Sequence, residues 1–158
     1  MNKLTNIPYA DIQLGQTATY SSTIGDTEVQ LFAAVSGDVN PLHLDQAYAE
    51  TTPFGERIAH GMLTGGLISA AIAMELPGPG TVYRSQSLKF RAPVKLGDTL
   101  TVRLEVTHKQ DRGPAVTLDC KVYNQHDKLV ASGTADVIAP TEKLSLTRPP
   151  IPGFTVAD

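Results

Sequence analysis

The sequence predicts an α+β domain in which one antiparallel sheet wraps a central apolar helix. Three observations carry that expectation. The run 60–76 is made of small and apolar residues with no charge before Glu75, and it stops at Pro77-Gly78-Pro79-Gly80. A helix apolar nearly all round must be buried over most of its surface. Segments of β character follow closely, at 81–91, 99–109, 115–124 and 129–138. Between them, Gly97-Asp98, Arg112-Gly113-Pro114 and Gln125-His126-Asp127 supply turn chemistry, so consecutive strands are expected to pair antiparallel.

Taken in order, residues 16–24 read as a first strand. Asp26 is placed to cap a helix over 27–35, where Val29, Phe32 and Ala33 share a face and Gly37 supplies the stop. After a loop at 38–43, Asp45 caps a second short helix through Ala49 or Glu50, ended by Thr51-Thr52-Pro53. Residues 54–59 read as a loop with at most one short extended piece, and the apolar helix begins at His60 or Gly61. The clearest strand is 99–109, with Leu100, Val102, Leu104 and Val106 on one face and Thr101, Arg103, Glu105 and Thr107 on the other, so one side of the sheet is wet. From Thr141 no period remains and Pro149-Pro150 and Pro152-Gly153 interrupt the chain, which divides it into a domain over 1–140 and an extended arm or disordered tail over 141–158. One helix followed by a curled sheet is the hot-dog arrangement. A single unit leaves a sheet edge unpaired and part of the helix poorly covered, so a homodimer that extends the sheet is expected.

Composition sets the outer limits. A chain of 158 residues, 41% hydrophobic and 18% charged, is neither disordered nor membrane-spanning and fits one soluble domain. A net charge of −3 with no basic block gives nucleic acid no electrostatic footprint. No apolar run reaches the ~18 residues of a membrane span, and the N-terminus has no secretory h-region, so the expected location is the cytoplasm. The single Cys120 shares a strand face with Leu118 and Val122, which reads as a buried structural thiol in a reduced compartment.

The chemistry concentrates in Asp38-Val39-Asn40-Pro41-Leu42-His43, followed by His60-Gly61-Met62 at the head of the apolar helix. A carboxylate and an imidazole five positions apart, in a turn stiffened by Asn-Pro, suit a general acid–base pair that holds one water. On these residues alone a second account stays open: Asp38 caps a turn and His43 is satisfied by a backbone carbonyl. Gly61 likewise offers either a backbone N–H at a positive helix end or close helix–sheet packing. No G-x-S-x-G elbow and no Cys–His pairing suggests an acyl-enzyme. The histidines at 43, 60, 108 and 126 have no metal-motif spacing, so neither a metal nor a cofactor is expected.

With Tyr83-Arg84-Ser85-Gln86-Ser87-Leu88-Lys89-Phe90-Arg91-Ala92-Pro93-Val94 added, the chain resembles the MaoC-like R-specific enoyl-CoA hydratases, specifically the short, free-standing type that supplies R-3-hydroxyacyl-CoA for polyhydroxyalkanoate synthesis. The resemblance runs from about Gln16 to Ala139, with three motifs in the family's order: 38–45, 58–63, and 86–90 with Pro93-Val94 and Gly97-Asp98. It implies reversible syn hydration of a trans-2-enoyl-CoA thioester by an Asp38/His43 dyad, an oxyanion role for the Gly61 N–H, and assistance from Ser69. A helix serine bonding its own i−4 carbonyl accounts for Ser69 equally well. Asn40, His60, Met62 and Gln86 are assigned to the substrate site, His60 as a positioning or packing residue and not a second base. Gly65-Gly66 and Ala70-Ala71 slim the helix for an acyl chain or for a packed strand, and Arg84, Lys89 and Arg91 are candidates for CoA phosphates or simply solvated cations. The resemblance implies fatty-acid metabolism as the setting. The rival readings are a hot-dog thioesterase and a non-catalytic acyl-CoA binding module.

Overall fold

Alternation along 99–106 and 115–122 creates much of the core. The computed structural model, which describes residues 2–157, contains β1 (Lys3–Thr5), β2 (Thr17–Thr23), α1 (Asp26–Ser36), α2 (Pro41–Leu44), α3 (Gln46–Glu50) and α4 (Gly61–Met74). These are followed by β3 (Val82–Phe90), β4 (Thr99–Lys109), β5 (Ala115–Tyr123), β6 (Leu129–Ile138) and β7 (Ser145–Thr147). The main sheet has the order β2-β4-β5-β6-β3, each neighbouring pair antiparallel. Val102, Leu104 and Val106 of β4 stand opposite Val122, Cys120 and Leu118 of β5, and all six are buried. Each such aliphatic side chain contributes about 1.5–3 kcal/mol of transfer free energy.

Helix α4 lies across β2, β3, β4 and β5 and buries Leu63, Ile68, Ala71 and Ile72 against them, completing the hot-dog arrangement. Its course beside β3 depends on two glycines. A Cβ at Gly61 would lie 3.0 Å from the Phe90 ring, and one at Gly65 would lie 3.6 Å from Leu88 Cδ2, so the helix runs antiparallel to the strand. Burial of α4 is nevertheless one-sided. Met62 is 59% exposed, and Gly66 and Ala73 on the same side are also open. The adjoining edge strand β3 exposes Val82 and Phe90, so an uncovered helix stripe and an unpaired sheet edge are continuous in the single chain.

Several sequence expectations change. Helix α1 begins at Asp26 itself: Gly25 is the N-cap and donates its N–H to the Glu28 carboxylate at 2.8 Å. Asp26 is drawn away from the cap by Arg57, whose Nη2 sits 2.6 Å from Oδ1. His43 lies in the one-turn helix α2, not in an irregular loop, because Pro41 opens a turn that Asn40 caps. Gly37 ends α1 as expected, in the left-handed region at φ 78°. In 54–59 the extended piece is a single bridge, Ile58 to Lys95.

The small sheet β1–β7 has no counterpart in the sequence reading. Fully buried Asn6 creates it, donating from Nδ2 to Pro79 O at 3.1 Å and Glu142 O at 2.9 Å while its Oδ1 accepts from Leu144 N at 2.8 Å. Residues 145–147 thus return as an arm against the N-terminus.

Candidate active site

The end of α1 places the acidic group. After Gly37 turns the chain, Asp38 donates its N–H to Ser36 Oγ at 3.1 Å and accepts the Asn40 N–H on Oδ1 at 3.1 Å. Asn40 takes the extended conformation a pre-proline residue prefers, φ −53° and ψ 126°, and its Oδ1 accepts from Leu42 N at 3.1 Å. Its side-chain carbonyl is therefore engaged in holding the loop. One helical turn on, His43 points back toward Asp38.

The tautomer of His43 follows from its surroundings. Nδ1 lies 2.7 Å from the carbonyl of Ile58, which can only accept, so Nδ1 carries the hydrogen and Nε2 presents a lone pair. That Nε2 is 3.9 Å from Asp38 Oδ2, beyond a direct hydrogen bond and suited to one water in contact with both. The Asp38 side chain is 49% exposed and that of His43 11%, so the pair faces an open side. Arg57, which sequence reasoning missed, donates Nε to the His43 carbonyl at 2.7 Å while its other end grips Asp26. It ties α2 to α1. The guanidinium holds the Asp26 carboxyl below its ordinary pKa of 3.8.

His60 lies beneath the pair. It is 2% exposed, its Nε2 is 3.0 Å from the Asp38 carbonyl, its ring stacks on His43 with centroids 3.8 Å apart, and the Phe32 ring lies tilted against it at 4.8 Å. Asp38, His43 and His60 form a donor set that by type suits a transition metal, with atoms within 4.8 Å of one another. The geometry does not suit one: the imidazole planes are stacked only 27° apart, so their in-plane lone pairs do not converge, and His60 Nε2 carries the hydrogen given to Asp38 O.

Gly61 opens α4 with no side-chain cap, leaving the first N–H groups of the helix available at its positive end. Beside it is a largely apolar cleft of about 340 Å³ lined by Phe54, Ile58, Gly61, Thr64, Phe90 and Val94. The cleft and the dyad thus flank the His60–Gly61 junction. Met62 is exposed and does not line this cleft.

The remaining expected residues lie along α4 and β3. Ser69 is half-buried, and among the described residues its hydroxyl has no hydrogen-bond partner, so the bond to its own i−4 carbonyl is not made. Gln86 accepts from the Tyr83 hydroxyl and donates Nε2 to Ser87 O at 2.7 Å, on the strand that faces the glycine stripe of α4. Arg84, Lys89 and Arg91 are exposed, and Arg91 Nε donates to Ser132 Oγ at 3.1 Å. Burial pushes the Cys120 thiol up to about 11, which suits a structural thiol and not a nucleophile.

The domain described as MaoC like matches residues 10–126, most of the chain. The chain belongs to the MaoC-like family. An (R)-specific enoyl-CoA hydratase of Rhodospirillum rubrum is 46% identical over 134 residues, spanning 84% of this chain and 91% of that one. The (R)-specific enoyl-CoA hydratase of Aeromonas caviae is 43% identical over 129 residues, covering 82% and 96%. Among solved structures, the unliganded R-hydratase PhaJ1 of Pseudomonas aeruginosa superposes with a TM-score of 0.94 at 54% identity, covering 99% of this MaoC-like chain and all of that one. No helix among the described residues is long and apolar enough to cross a membrane.

Proposed function

We propose that this protein is an R-specific enoyl-CoA hydratase, adding water reversibly across the double bond of a trans-2-enoyl-CoA to give the (R)-3-hydroxyacyl-CoA. The observation that carries the reading is the Asp38–His43 pair. An imidazole locked as the Nδ1–H tautomer and a carboxylate 3.9 Å away leave two acceptors aimed at one water. Both hydrogens of that water can be held while its oxygen attacks C3. The proton lost by water and the proton gained by C2 pass through the same pair, so both new bonds form on one face of the alkene and the addition is syn. As C2 takes up electron density, the thioester oxygen becomes enolate-like, and the Gly61 N–H meets it at the positive end of α4. His60, Met62, Ser69 and Gln86 complete the substrate site in this reading, and Asn40 serves it by fixing the loop. The chemistry asks for no metal and no redox cofactor.

The working form is a homodimer. The open stripe of α4 and the unpaired edge of β3 adjoin each other, and a two-fold contact along β3 would cover both while closing the cleft beside Gly61. The catalytic unit is residues 1–140, with 141–158 as an arm. An acyl-CoA substrate and an unpaired buried thiol support the cytoplasm as its place of work. The product suits polyhydroxyalkanoate monomer supply or fatty-acid metabolism.

Crotonyl-CoA tests the reading. Loss of the enoyl absorbance without release of free thiol is the expected result. Thiol release would make the protein a thioesterase, and binding without turnover would make it an acyl-CoA binding module; either outcome overturns the proposal.

A further inference from the structure

His60 carries a feature that packing does not explain. Its Nδ1 is fully enclosed and is the buried side-chain nitrogen or oxygen left without a partner among the described residues. Since Nε2 donates its hydrogen to the Asp38 carbonyl, Nδ1 presents a lone pair that no described group meets, an arrangement that destabilises a fold. A phenylalanine would fill the same slot beside Phe32 and His43 without that penalty. Packing alone therefore favours a carbon ring, and the imidazole must serve through its Nε2–H.

What that hydrogen holds is the peptide of Asp38. The Asp38 side chain is half-exposed and, among the described residues, is otherwise fixed by the Asn40 N–H within its own loop alone. The same His60 ring lies face-on against His43 at 3.8 Å. One side chain thus touches the backbone of one member of the dyad and the ring of the other, and their 3.9 Å separation is set across it. We propose that His60 is a positioning residue for hydration, fixing Asp38 and His43 relative to the shared water. A proton on Nδ1 would be a buried N–H without an acceptor, so His60 takes no part in proton transfer. The charged and titratable groups around it are the Asp38 carboxylate, 4.0 Å from Nε2, and His43, with Arg57 beyond the His43 carbonyl. This inference rests on the hydratase reading of the site.

Two substitutions separate its two contacts. His60→Phe keeps the ring and removes the donor together with the unpartnered lone pair; His60→Gln keeps a donor at similar reach and removes the ring. For His60→Phe, kcat on crotonyl-CoA should fall about 10- to 100-fold, the scale of a small misplacement of reacting groups, with KM within about threefold of the wild type. Its thermal midpoint should equal or exceed the wild-type value, and its pH–rate profile should keep the wild-type shape. His60→Gln should be less stable yet recover several-fold in kcat over the Phe variant. A Phe variant with kcat within twofold of wild type overturns the proposal, as does a lost inflection in its pH profile. If the Phe variant does not fold, the Gln variant decides: a loss of activity that only tracks its loss of stability overturns the proposal. A wild-type chain that does not hydrate crotonyl-CoA overturns the hydratase reading and this proposal with it, whereas an active wild type with an indifferent Phe variant overturns this proposal alone.

Discussion

Replacing Gly61 by alanine separates a catalytic glycine from a packing glycine. The new Cβ would lie 3.0 Å from Phe90 Cε1 and Cζ and 3.2 Å from Cδ1, whereas carbon contacts prefer about 3.5–4.0 Å. The ring must retreat by roughly half an ångström to one ångström. Phe90 is 54% exposed, so it can pivot at a cost of about 0.5–1.5 kcal/mol. The gain of alanine over glycine in helix propensity offsets part of this, ~0.5–1 kcal/mol if the interior value applied in full at the first turn. The net change in stability should stay within about 1 kcal/mol, a shift of roughly 2–4 °C in Tm for a chain of this size. Activity should respond on a different scale. A methyl group beside the Gly61 N–H keeps the thioester oxygen away, and loss of one oxyanion donor lowers kcat by about 10²–10³. The assay is kcat and KM on crotonyl-CoA alongside a thermal melt, repeated with Phe90→Ala in the same background. The second change should relieve the steric conflict and leave kcat low. A Gly61→Ala enzyme with near-normal kcat, or full recovery of kcat on removing Phe90, would refute the oxyanion assignment.

Asp38→Asn and His43→Ala should each lower the hydration rate by on the order of 10²-fold or more in a folded protein, checked by circular dichroism beside the kinetics. Light scattering should give about twice the 16.8 kDa chain mass, and dilution into the monomer range should abolish activity; a fully active monomer would contradict the shared cleft. Asp26 titrates below its ordinary value of 3.8 because Arg57 stabilises its charged form, so its contribution is present above that value and is lost as pH falls through the lowered one. Denaturant melts of Asp26→Asn should therefore show a loss of about 0.2–1 kcal/mol near neutral pH, small because the carboxylate is half-exposed, and the gap should close only in strong acid.

The strands and the site loop were legible because their signals are local. Leu100 to Val106 alternate without interruption, and Asn40-Pro41 fixes its own backbone whatever surrounds it. The long-range partners were not legible. Arg57 reaches back 31 residues to Asp26, which is why the N-cap falls on Gly25 rather than on the better capping residue beside it. Asn6 draws β1 and β7 together across |i−j| of 136 and 138 through carbonyls and an N–H that leave no mark in sequence pattern. His60 looked like a neighbour of Gly61, and only the fold lays its ring against His43 and its Nε2 on Asp38. The apolarity of α4 points to burial over most of its surface with part left uncovered in a single unit; one side is covered by the chain's own sheet, and the stripe of Met62, Gly66 and Ala73 is left to a second copy in the proposed dimer.

Asp38 and His43 are proposed to act on one water from one side of the double bond, and the relative configuration of the two new bonds is the direct test. Crotonyl-CoA hydrated in deuterium oxide places a deuterium at C2 and a hydroxyl at C3, and proton NMR coupling in the product reports their relationship. A single diastereomer with both added on the same face is expected, and an S-specific 3-hydroxyacyl-CoA dehydrogenase should give little NADH from it, as R configuration at C3 requires. An anti product, a mixture of diastereomers, or the S alcohol would contradict the proposal.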